Sequence, residues 1–173
     1  MVLQFVILGF LKLAPMSGYD LKRRFDSSVN YFWAADKAQI YRTLAALVDQ
    51  GLVEVRTTRG TAGPHRQEHS ITAAGEEALH AWLVSDLDRQ TSRDSFLARV
   101  FFAGDLDAEE TAILLGRRRE AAQSLLDTVT AIRESQAEPV DRAARLRLAT
   151  VDNGVRHARA ELEWLDDVEK ALS

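Results

Sequence analysis

Residues 36–58 read DKAQIYRTLAALVDQGLVEVRTT, a helix that runs directly into a strand. Ile40, Leu44, Leu47 and Val48 have the spacing of one helix face. Asp36 suits the N-cap, and Gly51 stands where a left-handed residue ends a helix. Leu52, Val53 and Val55 then read as a short β-rich strand. The opposite helix face carries Lys37, Gln39, Arg42 and Thr43, side chains that can reach phosphates and base edges. A short amphipathic helix feeding a strand is the core of a winged helix-turn-helix.

The flanking sequence extends this reading in both directions. Val2 to Leu13 predicts a helix that is apolar almost all round. It needs cover on more than one side, from its own domain and from a second subunit or the C-terminal helices. Ala14-Pro15 ends it. Ser17-Gly18-Tyr19-Asp20 has the form of a capping box opening a second helix. Tyr19, Leu21 and Phe25 are expected to point inward, and Lys22, Arg23 and Arg24 outward. The aromatics Tyr31-Phe32-Trp33 are expected to plug the small core, because aromatic side chains bury the most area. The alternative is that one of them borders a ligand.

Beyond residue 58, Gly60, Gly63 and Pro64 mark a hairpin tip, and His69 to Thr72 form the returning strand. Arg56, Arg59, His65 and Arg66 make that hairpin a basic wing. Thr72 is the predicted cap of a helix over roughly 73–87, with Glu76 and Glu77 in its favourable first turn.

A polar stretch at 88–94 is the expected boundary between a DNA-binding domain, 1–88, and a helical dimerisation domain, 89–173. A short helix at 95–103 precedes a long one that opens on Asp107 and Glu110 and runs to about 134. Pro139 marks the next start. In the last helix Ala144, Leu148, Val151, Val155, Ala158, Leu162 and Leu165 alternate steps of four and three, a heptad seam. Ile113, Leu114, Leu125, Val129 and Ile132 give the preceding helix a matching face. Two helices alone would leave much apolar surface wet, so a seam shared between subunits is preferred to an intramolecular hairpin. The fold class is mainly α: an N-terminal winged helix-turn-helix, made of three helices with a β-hairpin wing and a linking helix, followed by an α-helical dimerisation domain.

The 173 residues carry a net charge of −4, unevenly spread. Residues 1–80 hold nine basic and eight acidic side chains, whereas the remainder hold thirteen and eighteen. A relatively basic N-terminal half beside an acidic C-terminal half suits a nucleic-acid-binding domain with a separate partner domain. The absence of cysteine excludes disulfides, thiolate metal sites and cysteine nucleophiles, and fits a reducing cytoplasm. The apolar run at 2–11 is shorter than the ~20 residues a membrane span needs, and it lacks the flanks of a leader peptide. A soluble cytoplasmic protein without a membrane partner is expected. No nucleophile elbow, Gly-rich phosphate loop or HExxH occurs, so catalytic residues, cofactors and metals are not expected. His65 and His69, with Glu68 between them, are a weak metal pattern. Arg117-Arg118-Arg119 reads as solvated, or paired with Glu120.

The segments MSGYDLKRRF at 16–25, AQIYRTLAALVDQGLVE at 38–54, HSITAAGEEAL at 69–79 and FLARVFFAGDL at 96–106 resemble, in order and spacing, the PadR family of bacterial transcriptional regulators. The resemblance implies a homodimeric repressor on double-stranded DNA. In it the third helix reads the major groove of a pseudo-palindromic operator, the wing contacts the flank and the C-terminal helices dimerise. The DNA set is then Lys22, Lys37, Gln39, Tyr41, Arg42, Thr43, Arg59 and Arg66. Lys22, Lys37, Arg59 and Arg66 would mainly touch phosphates, and Gln39 and Arg42 base edges. Tyr41 falls on the tyrosine of the family's IY pair, near the DNA backbone or the core. His69 stands where the family commonly has an aromatic. Leu148, Val151, Val155, Ala158, Leu162 and Leu165 would dimerise. A small aromatic or lipophilic effector is implied, for which Trp33, Trp82, Phe96 and Trp164 are candidate pocket residues. The alternative is a winged-helix protein-interaction module without sequence-specific DNA binding, but such a module has no need of a basic helix face and an arginine wing.

Overall fold

The computed structural model describes residues 2–58, 66–87 and 93–172, with the side chains of Thr58 and Arg66 left aside. The chain forms two compact units, Met1–Asp88 and Arg89–Ser173. The first contains α1 (Val2–Leu13), β1 (Met16–Ser17), α2 (Gly18–Ser28), α3 (Lys37–Asp49), β2 (Val53–Thr58), β3 (Arg66–Ile71) and α4 (Ala73–Leu83). The second contains α5 (Ser95–Phe101), a 3-10 turn (Ala103–Asp105), α6 (Ala108–Ser135) and α7 (Arg142–Leu172). The mainly helical class and the winged arrangement follow the sequence. One strand does not: the expected two-stranded wing is a three-stranded antiparallel sheet in the order β1-β3-β2. Met16 pairs with His69 and Ser17 with Glu68, so two residues between helices cover the free edge of β3.

In the first unit, α1 buries Leu3, Ile7, Leu8, Phe10 and Leu11. They meet Leu21 and Phe25 of α2, Ile40, Leu44 and Leu47 of α3, Val53 of β2 and Leu79 of α4 in one cluster. Each such side chain contributes ~1.5–3 kcal/mol on full burial. Phe5 stacks on Trp82 at 4.9 Å between ring centroids. Two sequence expectations fail here. Tyr19 is 68% exposed rather than inward, because its position in the first turn of α2 faces away from Leu21 and Phe25. Of the three consecutive aromatics, Trp33 packs against the core. Phe32 is 52% exposed and meets Tyr31 edge-on instead.

Three local contacts tie the quoted motifs together. Gly51 has φ +70°, and the chain closes α3 there with Gly51 N–H donating to the Val48 carbonyl and Leu52 N–H to that of Leu47. This is a Schellman ending. Thr72 Oγ1 donates to the Gly51 carbonyl at 2.8 Å and accepts from Gly75 N–H at 3.1 Å, so one hydroxyl serves the end of α3 and the start of α4. A Cβ on Gly75 would lie 2.2 Å from the Leu52 carbonyl oxygen, which is why only glycine fits. Gly18 is the third contact: a Cβ there would meet the Tyr41 ring at 2.9 Å, so the SGYDL and QIYRTL segments pack face to face.

In the second unit α6 and α7 form a helical hairpin. Leu115, Ala122 and Val129 are the buried residues of α6, and Val151, Ala158 and Leu165 are buried on α7. Both sets step by sevens. With Leu115 and Leu165 clustered on Phe96, an antiparallel pairing places Ala122 opposite Ala158 and Val129 opposite Val151. The heptad seam is therefore divided, which corrects the expectation that all of it faces a partner. Val151, Ala158 and Leu165 are consumed within the chain, whereas Leu148, Val155 and Leu162 stay partly exposed. Arg118 and Arg119 also differ from expectation. Arg118 Nε donates to Glu161 at 2.5 Å, its Nη2 to Asp94 at 3.1 Å, and its guanidinium lies 5.1 Å from the Phe96 ring centroid. Arg119 pairs with Asp166 at 2.7 Å and Glu169 at 2.9 Å. These contacts clamp α5 and α6 onto α7.

Candidate nucleic-acid interface

The helix-turn-helix is α2, the connection 29–36 and α3. Asp36 caps α3 by accepting from Gln39 N–H at 2.7 Å, and the Gln39 amide oxygen accepts from Asp36 N–H at 3.0 Å. Gln39 thus holds the N-terminus of the helix with the very atom that a bidentate contact to adenine requires. Its NH₂ group stays outward. Arg42 is exposed and makes no hydrogen bond or ion pair among the described residues. It stands in the stripe Ala38, Arg42, Ala45, Ala46 and Asp49, all exposed. The three alanines were missed in the sequence because alanine is neutral in any pattern. Side chains this small would let the helix backbone approach a groove and would be able to touch thymine methyls. Thr43 is half-buried beside them.

Lys37 Nζ lies 5.7 Å from the centroid of the Tyr41 ring, a cation–π contact on the α2 side of α3. Lys22 forms an i,i+4 ion pair with Asp26, which occupies the charge assigned to phosphate. In the wing, Arg66 opens β3 opposite Thr58, and Arg59 and His65 lie outside the described residues. Arg56 pairs with Glu54 at 3.1 Å.

Between α2, α3 and the sheet is an open hollow of about 790 Å³, lined by Gly18, Tyr41, Leu44, Thr57, Gln67 and His69 among others. His69, only 9% exposed, occupies the position expected of an aromatic. It is flanked across the sheet by Met16 and Val55. Burial holds its pKa below 6.5, opposed in part by a hydrogen bond to the Met16 backbone. Its Nδ1 has no hydrogen-bond partner among the described residues. Those residues contain no cluster of three metal-ligating side chains and no helix long and apolar enough to cross a membrane. Of the candidate effector residues, Trp33 and Trp82 pack in the first unit. Phe96 and Trp164 meet edge-on at 6.1 Å in the second.

A capped third helix with a free outward arginine, backed by a sheet and followed by a helical unit, defines a winged helix-turn-helix regulator. Residues 7–81 match the transcriptional regulator PadR-like family, and residues 92–173 match the virulence activator alpha C-term family. The chain is 30% identical over 143 residues to the negative transcriptional regulator PadR of Bacillus subtilis, covering 80% of this chain and 79% of that one. It is 32% identical to a probable transcriptional regulator of Mycobacterium tuberculosis, covering 99% of this chain and 98% of that one. The structure superposes on that of Bacillus subtilis PadR in complex with operator DNA with a TM-score of 0.86 at 25% identity, over 97% of this chain and 96% of that one. The chain belongs to the PadR-like family of transcriptional regulators.

Proposed function

We propose that the protein is a cytoplasmic repressor without catalytic activity, which binds a pseudo-palindromic operator as a homodimer and leaves it when a small aromatic or lipophilic effector binds. The observation that carries this reading is the free Arg42 on the outward stripe of α3, in a chain that superposes on a relative solved on its operator. Two copies of α3 spaced by ~34–36 Å, one turn of DNA, read two half-sites. Arg42 can bond guanine bidentately, worth ~1–3 kcal/mol of discrimination. Lys37, Arg59 and Arg66 supply phosphate contacts, and these make affinity fall with salt. Thr43 and the Gln39 NH₂ are secondary contacts.

The partly exposed half of the α7 seam, Leu148, Val155 and Leu162, supports self-association. Support for the effector comes from the same Bacillus subtilis relative, also solved with p-coumaric acid, an aromatic acid. Such a ligand releases DNA only by binding the DNA-free arrangement more tightly than the DNA-bound one. Trp33, Trp82, Phe96 and Trp164 are the side chains to follow by fluorescence during ligand titration.

The test is a gel shift with DNA from upstream of the protein's own gene at two salt concentrations. A shift that weakens at the higher salt, and a loss of preference at one operator position in Arg42→Ala, are expected. No shift at low salt overturns the reading.

A further inference from the structure

Beside the recognition helix, α2 and α3 enclose a second notch of about 450 Å³, lined by Tyr19, Lys22, Arg23, Asp26, Lys37 and Tyr41 among others. Its chemistry is one-sided. The Lys22 charge is answered by Asp26 within the same helix. Arg23 is exposed and, among the described residues, makes no hydrogen bond or ion pair. Lys37 makes no ion pair among the described residues, and its Nζ lies 5.7 Å from the centroid of the Tyr41 ring. Tyr19 is 68% exposed and Tyr41 40%, and both line the notch. Tyr41 is held in place from below, since its ring rests on Gly18 with no room for a Cβ between them. Two cations without an ion pair among the described residues and two phenols therefore line one notch, and its carboxylate, Asp26, is already paired with Lys22. Such a set of donors fits the non-bridging oxygens of a phosphodiester, which accept and never donate.

We propose that this notch seats one phosphate of the DNA backbone, held by Arg23 and Lys37 with the hydroxyls of Tyr19 and Tyr41. The α2 contact to DNA then comes from Arg23 rather than Lys22. This assignment rests on the DNA-binding reading above. It adds two residues, Tyr19 and Arg23, to which the sequence pattern assigned no DNA role, and demotes a third. Because a backbone contact carries no base information, its loss weakens all sequences alike.

The test is equilibrium binding by fluorescence anisotropy, at four salt concentrations, to two labelled duplexes of equal length. One comes from upstream of the protein's gene and the other has scrambled sequence. Arg23→Ala should lower the slope of log affinity against log salt by ~0.9, the value of one phosphate contact, on both duplexes. Tyr19→Phe removes one hydrogen bond to an anionic oxygen and should weaken both about tenfold or more with the slope unchanged. Lys22→Ala should lose less slope than Arg23→Ala. All three positions are on the surface, and thermal melts of each variant confirm that the fold is retained. If the parent binds while Arg23→Ala and Tyr19→Phe match it in slope and affinity, the notch is not a phosphate seat. A slope loss in Lys22→Ala equal to or above that of Arg23→Ala overturns the assignment in favour of Lys22. If the parent binds neither duplex at low salt, the DNA-binding reading itself falls, and the notch assignment with it.

Discussion

Gln39 and Asp36 hold each other reciprocally: the glutamine amide oxygen accepts the aspartate N–H at 3.0 Å, and an aspartate oxygen accepts the glutamine N–H at 2.7 Å. Such a box fixes the first turn of the helix proposed to face DNA, so a residue suited to reading adenine also supports the fold. Gln39→Glu separates the two roles. A carboxylate preserves the box and is favoured at a helix N-terminus, so the melting temperature should hold or rise slightly. DNA affinity should fall, because the charge sits near phosphates. Unchanged DNA affinity in Gln39→Glu, measured by anisotropy, would show that this turn lies away from the duplex.

Gly75 is required by a close approach, not by its backbone angles. Gly75→Ala drives a Cβ into the Leu52 carbonyl, so α4 must shift and strain the bond from Thr72 N–H to Leu52 at 3.0 Å. The expected cost is about 1–3 kcal/mol, read as a lower denaturation midpoint of the first unit. A midpoint equal to the parent's would mean that α4 can move away freely.

His69 makes the first unit sensitive to acid. Its folded pKa is depressed by burial below the ordinary 6.5, so the unfolded chain binds the proton more readily. Stability from this group is fully present above about pH 6.5. It is lost as pH falls from there through the lower folded value. His69→Phe, which restores an aromatic beneath the wing, should flatten that limb in denaturation curves taken between pH 7.5 and 5. An unaltered slope would assign the acid sensitivity to other groups.

The division of the α7 seam predicts opposite outcomes for neighbouring positions. Leu165 is fully buried within the chain, and Leu165→Ala should cost ~2–5 kcal/mol in the second unit. Val155 belongs to the half left partly open. Val155→Lys should preserve helicity yet shift sedimentation from dimer toward monomer. A dimer as tight as the parent's would place the interface elsewhere.

The parts of this fold legible in the sequence are those with local causes. The span of α1 follows from its apolar run and Ala14-Pro15, and that of α3 from the Asp36 cap and the Gly51 ending. β1 was invisible, since a two-residue strand has no periodicity and exists only because β3 offers an edge. The heptad pattern correctly marked an apolar stripe but could not say which half met its own chain, because both halves repeat every seven residues. The partners of Arg118 and Arg119 are 24 to 50 residues away in sequence, beyond any local rule. At the candidate interface, the exposure of Arg42 is legible from helix phase. The loss of Lys22 to Asp26 was a spacing of four that the sequence displayed but basic residue type obscured. Tyr19 went astray because an aromatic in an apparently amphipathic helix was assigned to the core.

The Thr72 hydroxyl, shared between the end of α3 and the start of α4, has a dynamic consequence. Fraying at either helix end displaces a hydroxyl that the other end also uses, so the two ends are expected to open together in a single local-unfolding event. Amide protons of Leu52 and Gly75 should then exchange with deuterium at matching rates, although they lie 23 positions apart in the chain. The C-terminal end of α3 is in this sense latched to the first turn of α4.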